Sequence, residues 1–212
     1  MKIISRQSIT SKFQMIQFEI SHIQNLLFEN ESDESFFENE TDSKEYLDQF
    51  DCLEYKNEYS IYKNEYILSI KTNSTDEIEL TYLNSISQLL KTKNCSELIW
   101  IAHLKNNLFG SNEIENDKLK LAFNSIQEKL ETDFNDETLI FSTSEIKNII
   151  PFLYLSARFD ASAPEFSFLF DKNEQFQFHF CNLGNIHFTE YKAPFLSKIE
   201  LEQMGFTVLE KC

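Results

Sequence analysis

Glycine and proline are scarce in this chain, with three of each in 212 residues. Gly110, Gly184 and Gly205 stand far apart, and neither G-x-G-x-x-G nor G-x-x-x-x-G-K-[ST] occurs. Loops that cradle a phosphate through several glycine N–H groups are therefore disfavoured. No Pro/Gly/Ser-rich linker divides the chain. That argues for one compact unit over residues 1–212, subdivided, if at all, near residues 134–138. Positive charge is also short: 19 Lys and Arg against 35 Asp and Glu leave a net charge of −16. Direct binding to nucleic acid or to an anionic membrane needs a basic face, so neither is expected. There is no apolar run of about 18 residues, the length a membrane helix needs. The opening stretch "MKIISRQSITSKFQ" has no apolar core of signal-peptide length, so a cytoplasmic location is expected. Cys52, Cys95, Cys181 and Cys212 are scattered without a C-x-x-C pair, which fits free thiols in a reducing compartment.

Aromatic residues are plentiful. Phenylalanine alone accounts for 21 positions, and 42% of the chain is hydrophobic, enough for a sizeable core without staples. Phe13, Ile16, Ile20, Ile23 and Leu27 recur three and four apart. They predict a helix with Thr10 or Ser11 as its N-cap. "EYSIY" and "EYILSIK", joined by Lys63-Asn64, predict a small hairpin. "STDEIELTYLNSISQLLK" predicts a helix opened by a Ser74/Glu77 capping box, with Ile78, Tyr82, Ile86 and Leu89 or Leu90 inward. "SELIWIAHLKNNLFG" suits either a buried strand or a helix closed by Gly110. A helix follows through Leu119, Ala122, Ile126 and Leu130.

Past Phe134 the pattern turns to strands. "ETLIFSTS" predicts one, and "SEIKNII" a helix capped by Ser144 and interrupted or kinked at Pro151. "PEFSFLF", "QFQFHF" and "NIHFTEY" predict three successive strands. A short helix from Ser197 to Gly205 and a last strand "FTVLEK" close the chain. The fold class is thus α+β: a helix-rich N-terminal part with a small hairpin, and an antiparallel sheet in the C-terminal part covered by helices.

Residues 166–180, "FSFLFDKNEQFQFHF", carry six phenylalanines at alternate positions. Pairing the two strands across "DKNEQ" is expected to lay all six rings on one buried sheet face, leaving Ser167, Leu169, Gln175, Gln177 and His179 on a mostly wettable one. Exposing six rings would cost on the order of 10 kcal/mol, comparable to a domain's whole stability.

Chemistry-bearing residues are sparse. His179 and Cys181 share a strand face, and His187 falls on the next strand. The spacing matches no zinc motif, so no metal and no cofactor are expected. His103 and His22 have no recognisable nucleophile beside them. Asp160 beside Arg158 suits a structural ion pair.

The strongest functional signal is electrostatic. Residues 29–54 hold eleven acids and one base, Lys44, so −10 of the net −16 lies in 26 residues. Aromatics interrupt the run, which separates it from a plain acidic tail. This composition suits a non-catalytic acidic inhibitor that binds and neutralises a basic protein, as an immunity protein does a toxin nuclease. On that reading Asp33, Glu34, Glu38, Asp42, Glu45 and Asp48 supply charge, while Phe36, Phe37, Tyr46 and Phe50 supply anchors. Two other readings stand beside it. One is a mimic of nucleic acid that occupies a DNA- or RNA-binding protein. The other is an enzyme of unrecognised family, for which His103, His179 and His187 are the lead.

Overall fold

The computed structural model describes residues 1–31, 44, 46–51, 53, 63–72, 77–105, 108–109, 116–130 and 138–209. Among them lie eight strands in one antiparallel sheet and six α-helices. The order in the chain is β1 (Lys2–Ile4), α1 (Arg6–Lys12), α2 (Gln14–Glu31), β2 (Asn64–Ile70), α3 (Ile78–Thr92), β3 (Glu97–Ala102), α4 (Asp117–Gln127), β4 (Thr138–Ser142), α5 (Ile146–Phe159), β5 (Ser167–Asp171), β6 (Phe176–Phe180), β7 (Ile186–Glu190), α6 (Lys198–Gln203) and β8 (Phe206–Leu209). The sheet runs β1-β4-β3-β5-β6-β7-β2-β8. The class is α+β, but helices and strands are not segregated along the chain. β1 and β2, from the N-terminal part, pair with β4 and with β7 and β8 from the C-terminal part.

Helices cover both faces of the sheet. On one, residues of α3, α4, α5 and α6 pack on Leu98, Trp100, Leu139, Phe141, Leu169 and Phe178. On the other, Ile9 and Phe13 of the α1 end and Ile16 and Ile20 of α2 pack on Ile99, Ile101, Ile140, Phe168 and Phe170. The phenylalanine hairpin feeds both cores. Phe168, Phe178 and Phe180 are buried as expected, yet they do not share a face. Phe166, Phe168 and Phe170 point toward α1 and α2, and Phe176, Phe178 and Phe180 toward α3 and α5. The register explains this. Leu169 stands opposite Phe178 and Phe170 opposite Gln177. A connection of four residues, Lys172 to Gln175, pairs an even position with an odd one. One residue more or fewer would have put all six rings together. Nor is the Gln177–His179 face the wet one predicted, for both residues are buried.

Other expectations shift for local reasons. The first helix is two. Ser5 caps α1 by accepting from the Ser8 N–H, and Phe13 breaks the run in an extended conformation at φ −107°. Thr10 and Ser11 therefore lie inside α1 and are not caps. The Met15 N–H at the start of α2 is met from afar by the Glu174 carboxylate. "SELIWIA" is a strand, and "EYILSIK" is strand β2; "EYSIY", Ser74 and Gly110 lie outside the described residues. Ser142, not Ser144, forms the capping box with Glu145 that leads through a 3-10 turn into α5. Pro151 does not end α5, although an interior proline costs about 3 kcal/mol. Ile149, Ile150, Phe152, Leu153 and Leu155 are all buried around it, and that packing outweighs one missing backbone bond.

At the far edge Lys93 pairs with the fully buried Glu190 and donates to the Pro194 carbonyl at 2.8 Å. Glu190 also accepts from the Leu196 N–H, 3.1 Å. Burial raises the pKa of Glu190 against the pull of Lys93. These bonds fasten the end of α3 to β7 and to the chain entering α6. Ser197 and Glu200 complete the capping box expected at α6.

Candidate functional site

Among the described residues, α1 and α2 cover the β4-β3-β5 half of their face and leave the β6-β7-β2 half uncovered. Two adjoining hollows result, of about 790 Å³ and about 410 Å³. They share Phe166, His179 and His187 as a common wall. The larger runs past Cys181 to residues 157–165, the end of α5 and the loop after it, and the smaller runs between Glu19 of α2 and Glu65 of β2.

The sheet register makes the centre of this groove. His179 on β6 stands opposite His187 on β7, so the two imidazoles meet on one face. Their rings stack at 4.9 Å with 12° between planes. Phe166 and Phe168 press edge-on against His179 at 5.4 and 5.0 Å. His103, at the end of β3, lies edge-on to Phe166 at 5.3 Å, and its backbone N–H donates to the Phe166 carbonyl. Burial, with His187 and His103 near, holds the pKa of His179 down to about 3. Burial holds His103 at about 4, against the Phe166 carbonyl and with a smaller push from Arg6. Burial also lowers His187. All three rings are thus neutral near pH 7.

Around them is a polar shell. Gln177 donates from Nε2 to Thr189 Oγ1 at 3.1 Å. The Tyr191 hydroxyl donates to Glu19 Oε1 at 3.0 Å, and burial beside that carboxylate pushes its pKa well up. Lys63 bridges Glu65 at 2.9 Å and Glu19 at 3.7 Å. Asp160 accepts at Oδ1 from both the N–H and the hydroxyl of Ser162, so it closes a turn and makes no ion pair with Arg158. Arg158 donates instead to the Leu183 carbonyl at 3.0 Å. Comparison with known proteins found no family model, no curated protein and no solved structure that matches this chain.

Cys181 and His179 both line the larger hollow, as their spacing on one strand predicted, but among the described residues no hydrogen bond joins this thiol to an imidazole. Nor do three His, Cys, Asp or Glu side chains converge as a metal site among the described residues. The sequence singled out the three histidines and missed Gln177, Glu19, Glu65 and Tyr191. The available signal was the Gln and His alternating with Phe in "QFQFHF", a run whose polar members face a partly covered surface.

Of the acidic segment, the structure describes residues 29–31 at the end of α2, Lys44, residues 46–51 and Leu53. Asp33, Glu34, Phe36, Phe37, Glu38, Asp42 and Glu45 lie outside the described residues. Asp48 is exposed and Tyr46 half-buried. Phe50 is 8% exposed and packs edge-on to Tyr46 at 5.2 Å, so its ring belongs to the chain's own interior and is no surface anchor. Asp51 accepts two hydrogen bonds from Arg6, 2.8 Å from Nε and 2.8 Å from Nη2, and a third from Gln24 Nε2 at 2.8 Å. Gln24 also donates to the His103 carbonyl at 2.6 Å. Through Gln24 and His103 the end of the acidic segment abuts the Phe166 wall of the groove. No helix among the described residues is long and apolar enough to cross a membrane.

Proposed function

We propose that this chain is a non-catalytic acidic protein of the immunity type, which binds and neutralises a basic protein such as a toxin nuclease. The observation that carries the reading is the concentration of −10 of the net −16 in residues 29–54. The seating of that segment supports it. A buried Arg6–Asp51 pair and Gln24 hold its end at Asp51 against α1 and α2. Asp33, Glu34, Glu38, Asp42, Glu45 and Asp48 supply the attraction, and Tyr46 with Phe36 and Phe37 supplies aromatic contact. Cys95 and Cys181 are free, in keeping with a reducing compartment.

Long-range attraction acts on association rate and fades with salt, whereas aromatic anchors act on dissociation. The test begins with the basic protein retained at low salt from cells that express the neighbouring gene. Replacing Asp33, Glu34 and Glu38 by Asn or Gln should slow its association and flatten the salt dependence while leaving the fold intact. Unchanged rates at low salt overturn the reading. If the retained protein binds nucleic acid and DNA competes with the chain for it, the mimic reading replaces the immunity reading.

A further inference from the structure

Two buried polar atoms face the groove without a partner. His179 is 8% exposed and Gln177 3% exposed, and both line the smaller hollow. Among the described residues, His179 Nδ1 and Gln177 Oε1 have no hydrogen-bond partner. A buried polar group left unpaired costs about 1–3 kcal/mol, so a folded protein keeps one only for a reason. A third such atom, Asp160 Oδ2, lies in the larger hollow that His179 also lines.

The three atoms share one chemistry. A carboxylate oxygen and an amide oxygen only accept, and a neutral imidazole accepts at one of its nitrogens. An occupant must therefore bring several N–H or O–H donors. The charge around the groove narrows it further. Glu19, Glu65, Asp160 and Glu165 line the hollows. Lys63 sits on the first two, and Arg158 is held by the Leu183 carbonyl. Among the described residues, four carboxylates against two bases leave the groove negative. Its common wall is aromatic, with Phe166 half-buried and His187 half-buried on the stacked His179. A flat cation with donors around its rim satisfies all three conditions. A guanidinium has five N–H donors in a plane and stacks on aromatic faces, whereas an ammonium is a compact and strongly hydrated point charge.

We propose that the groove walled by Phe166, His179 and His187 is a binding site for a guanidinium group, held by Gln177 and Glu65, with Asp160 in the adjoining larger hollow adding to the negative field. The inference does not rest on the acidic segment, since none of these residues belongs to it. The guanidinium comes either from a free small molecule or from an arginine side chain on another protein.

The test is a titration of the intact chain followed by NMR of the imidazole resonances. The probes are agmatine, N-acetyl-arginine amide, a blocked Gly-Arg-Gly peptide and the matching lysine peptide. The expected result is a saturable shift of the His179 and His187 signals with an arginine probe. The lysine peptide should bind at least about tenfold more weakly, and Gln177→Leu or Glu65→Gln should each weaken the arginine probe about three- to tenfold. Glu65 is half-exposed, so its variant keeps the fold even if Gln177→Leu does not. Tighter binding of the peptide than of agmatine assigns the source to a protein, and the converse assigns it to a small molecule. No saturable shift up to about 20 mM of any arginine probe, or equal binding of the lysine peptide, overturns the proposal.

Discussion

The two faces of the sheet use the same hairpin differently. Toward α3, α4, α5 and α6 the strands present Phe176, Phe178, Phe180, Leu169 and Trp100 to a continuous apolar core. Toward α1 and α2 they present Phe168 and Phe170, and then, on β6 and β7, Gln177, His179, His187 and Thr189. The first face is closed by helices, and the second is closed for half its width. The difference teaches where selection for stability gives way to something else. A sheet that needed only to be stable would have continued its phenylalanines across β6 and β7, instead of burying polar atoms without partners there.

The comparison can be broken most forcefully on the closed face. Phe178→Ala should cost about 3–5 kcal/mol in urea unfolding, because a large void opens under α5. Ile67→Ala, on the half-exposed stretch of β2 in the groove, should cost about 1 kcal/mol or less. Equal losses would mean the groove face is as tightly packed as the other.

The next largest effect concerns the anchor between α1 and the acidic segment. Arg6→Ala leaves Asp51 charged and buried, with 8% of its side chain exposed, and should cost about 3 kcal/mol. The double variant Arg6→Met/Asp51→Leu should recover much of that loss. A double variant no more stable than the single one would show that the loss comes from packing and not from the orphaned charge.

Acid should act through the second face. The folded pKa values of His179 and His103, about 3 and about 4, lie below the ordinary value of 6.5. The unfolded chain takes up these protons near pH 6.5, and the folded chain does not. The stability from these two groups is therefore complete above about pH 6.5 and falls as pH drops toward 4, by up to about 1.4 kcal/mol per pH unit for each. His179→Phe should remove its share of that slope between pH 6.5 and 4, while keeping the aromatic packing on Phe166 and Phe168. An unaltered slope would place the acid sensitivity in the carboxylates alone.

The smallest effect sharpens the contrast. Gln177→Leu removes its bond to Thr189 and its contact with the Tyr191 hydroxyl, together with one unpaired buried acceptor, so the terms nearly cancel. Its stability should stay within about 0.5 kcal/mol of the parent by urea unfolding. A loss as large as that of Phe178→Ala would mean that Gln177 is part of the scaffold.

Most elements were legible because their signals are local. The α3 stripe of Tyr82, Ile86, Leu89 and Leu90, the Ser197/Glu200 capping box and the alternation in β5, β6 and β7 all depend on side chains a few residues apart. So did the burial of the phenylalanines, since no soluble surface carries six exposed rings at tolerable cost. The groove was half legible. His179, Cys181 and His187 could be placed on neighbouring strands, but the depressed pKa values of the two imidazoles depend on burial by residues far away in the chain. Glu19 and Tyr191 carried no local mark at all.

By itself, the sequence determined the α+β composition, the strands of the hairpin, the amount of aromatic surface that had to be buried and the place where negative charge collects. Only the tertiary structure decided which ring meets which core. The parity of one four-residue connection turns Phe176, Phe178 and Phe180 away from Phe166, Phe168 and Phe170, and so brings Gln177 and His179 to the α2 side. Composition cannot encode that choice, because a strand's side chains alternate with period two and a single residue of slip exchanges its faces. Likewise Asp51 became an anchored carboxylate, unlike the exposed Asp48, because α1 folds back and sets Arg6 against it across 45 residues of chain.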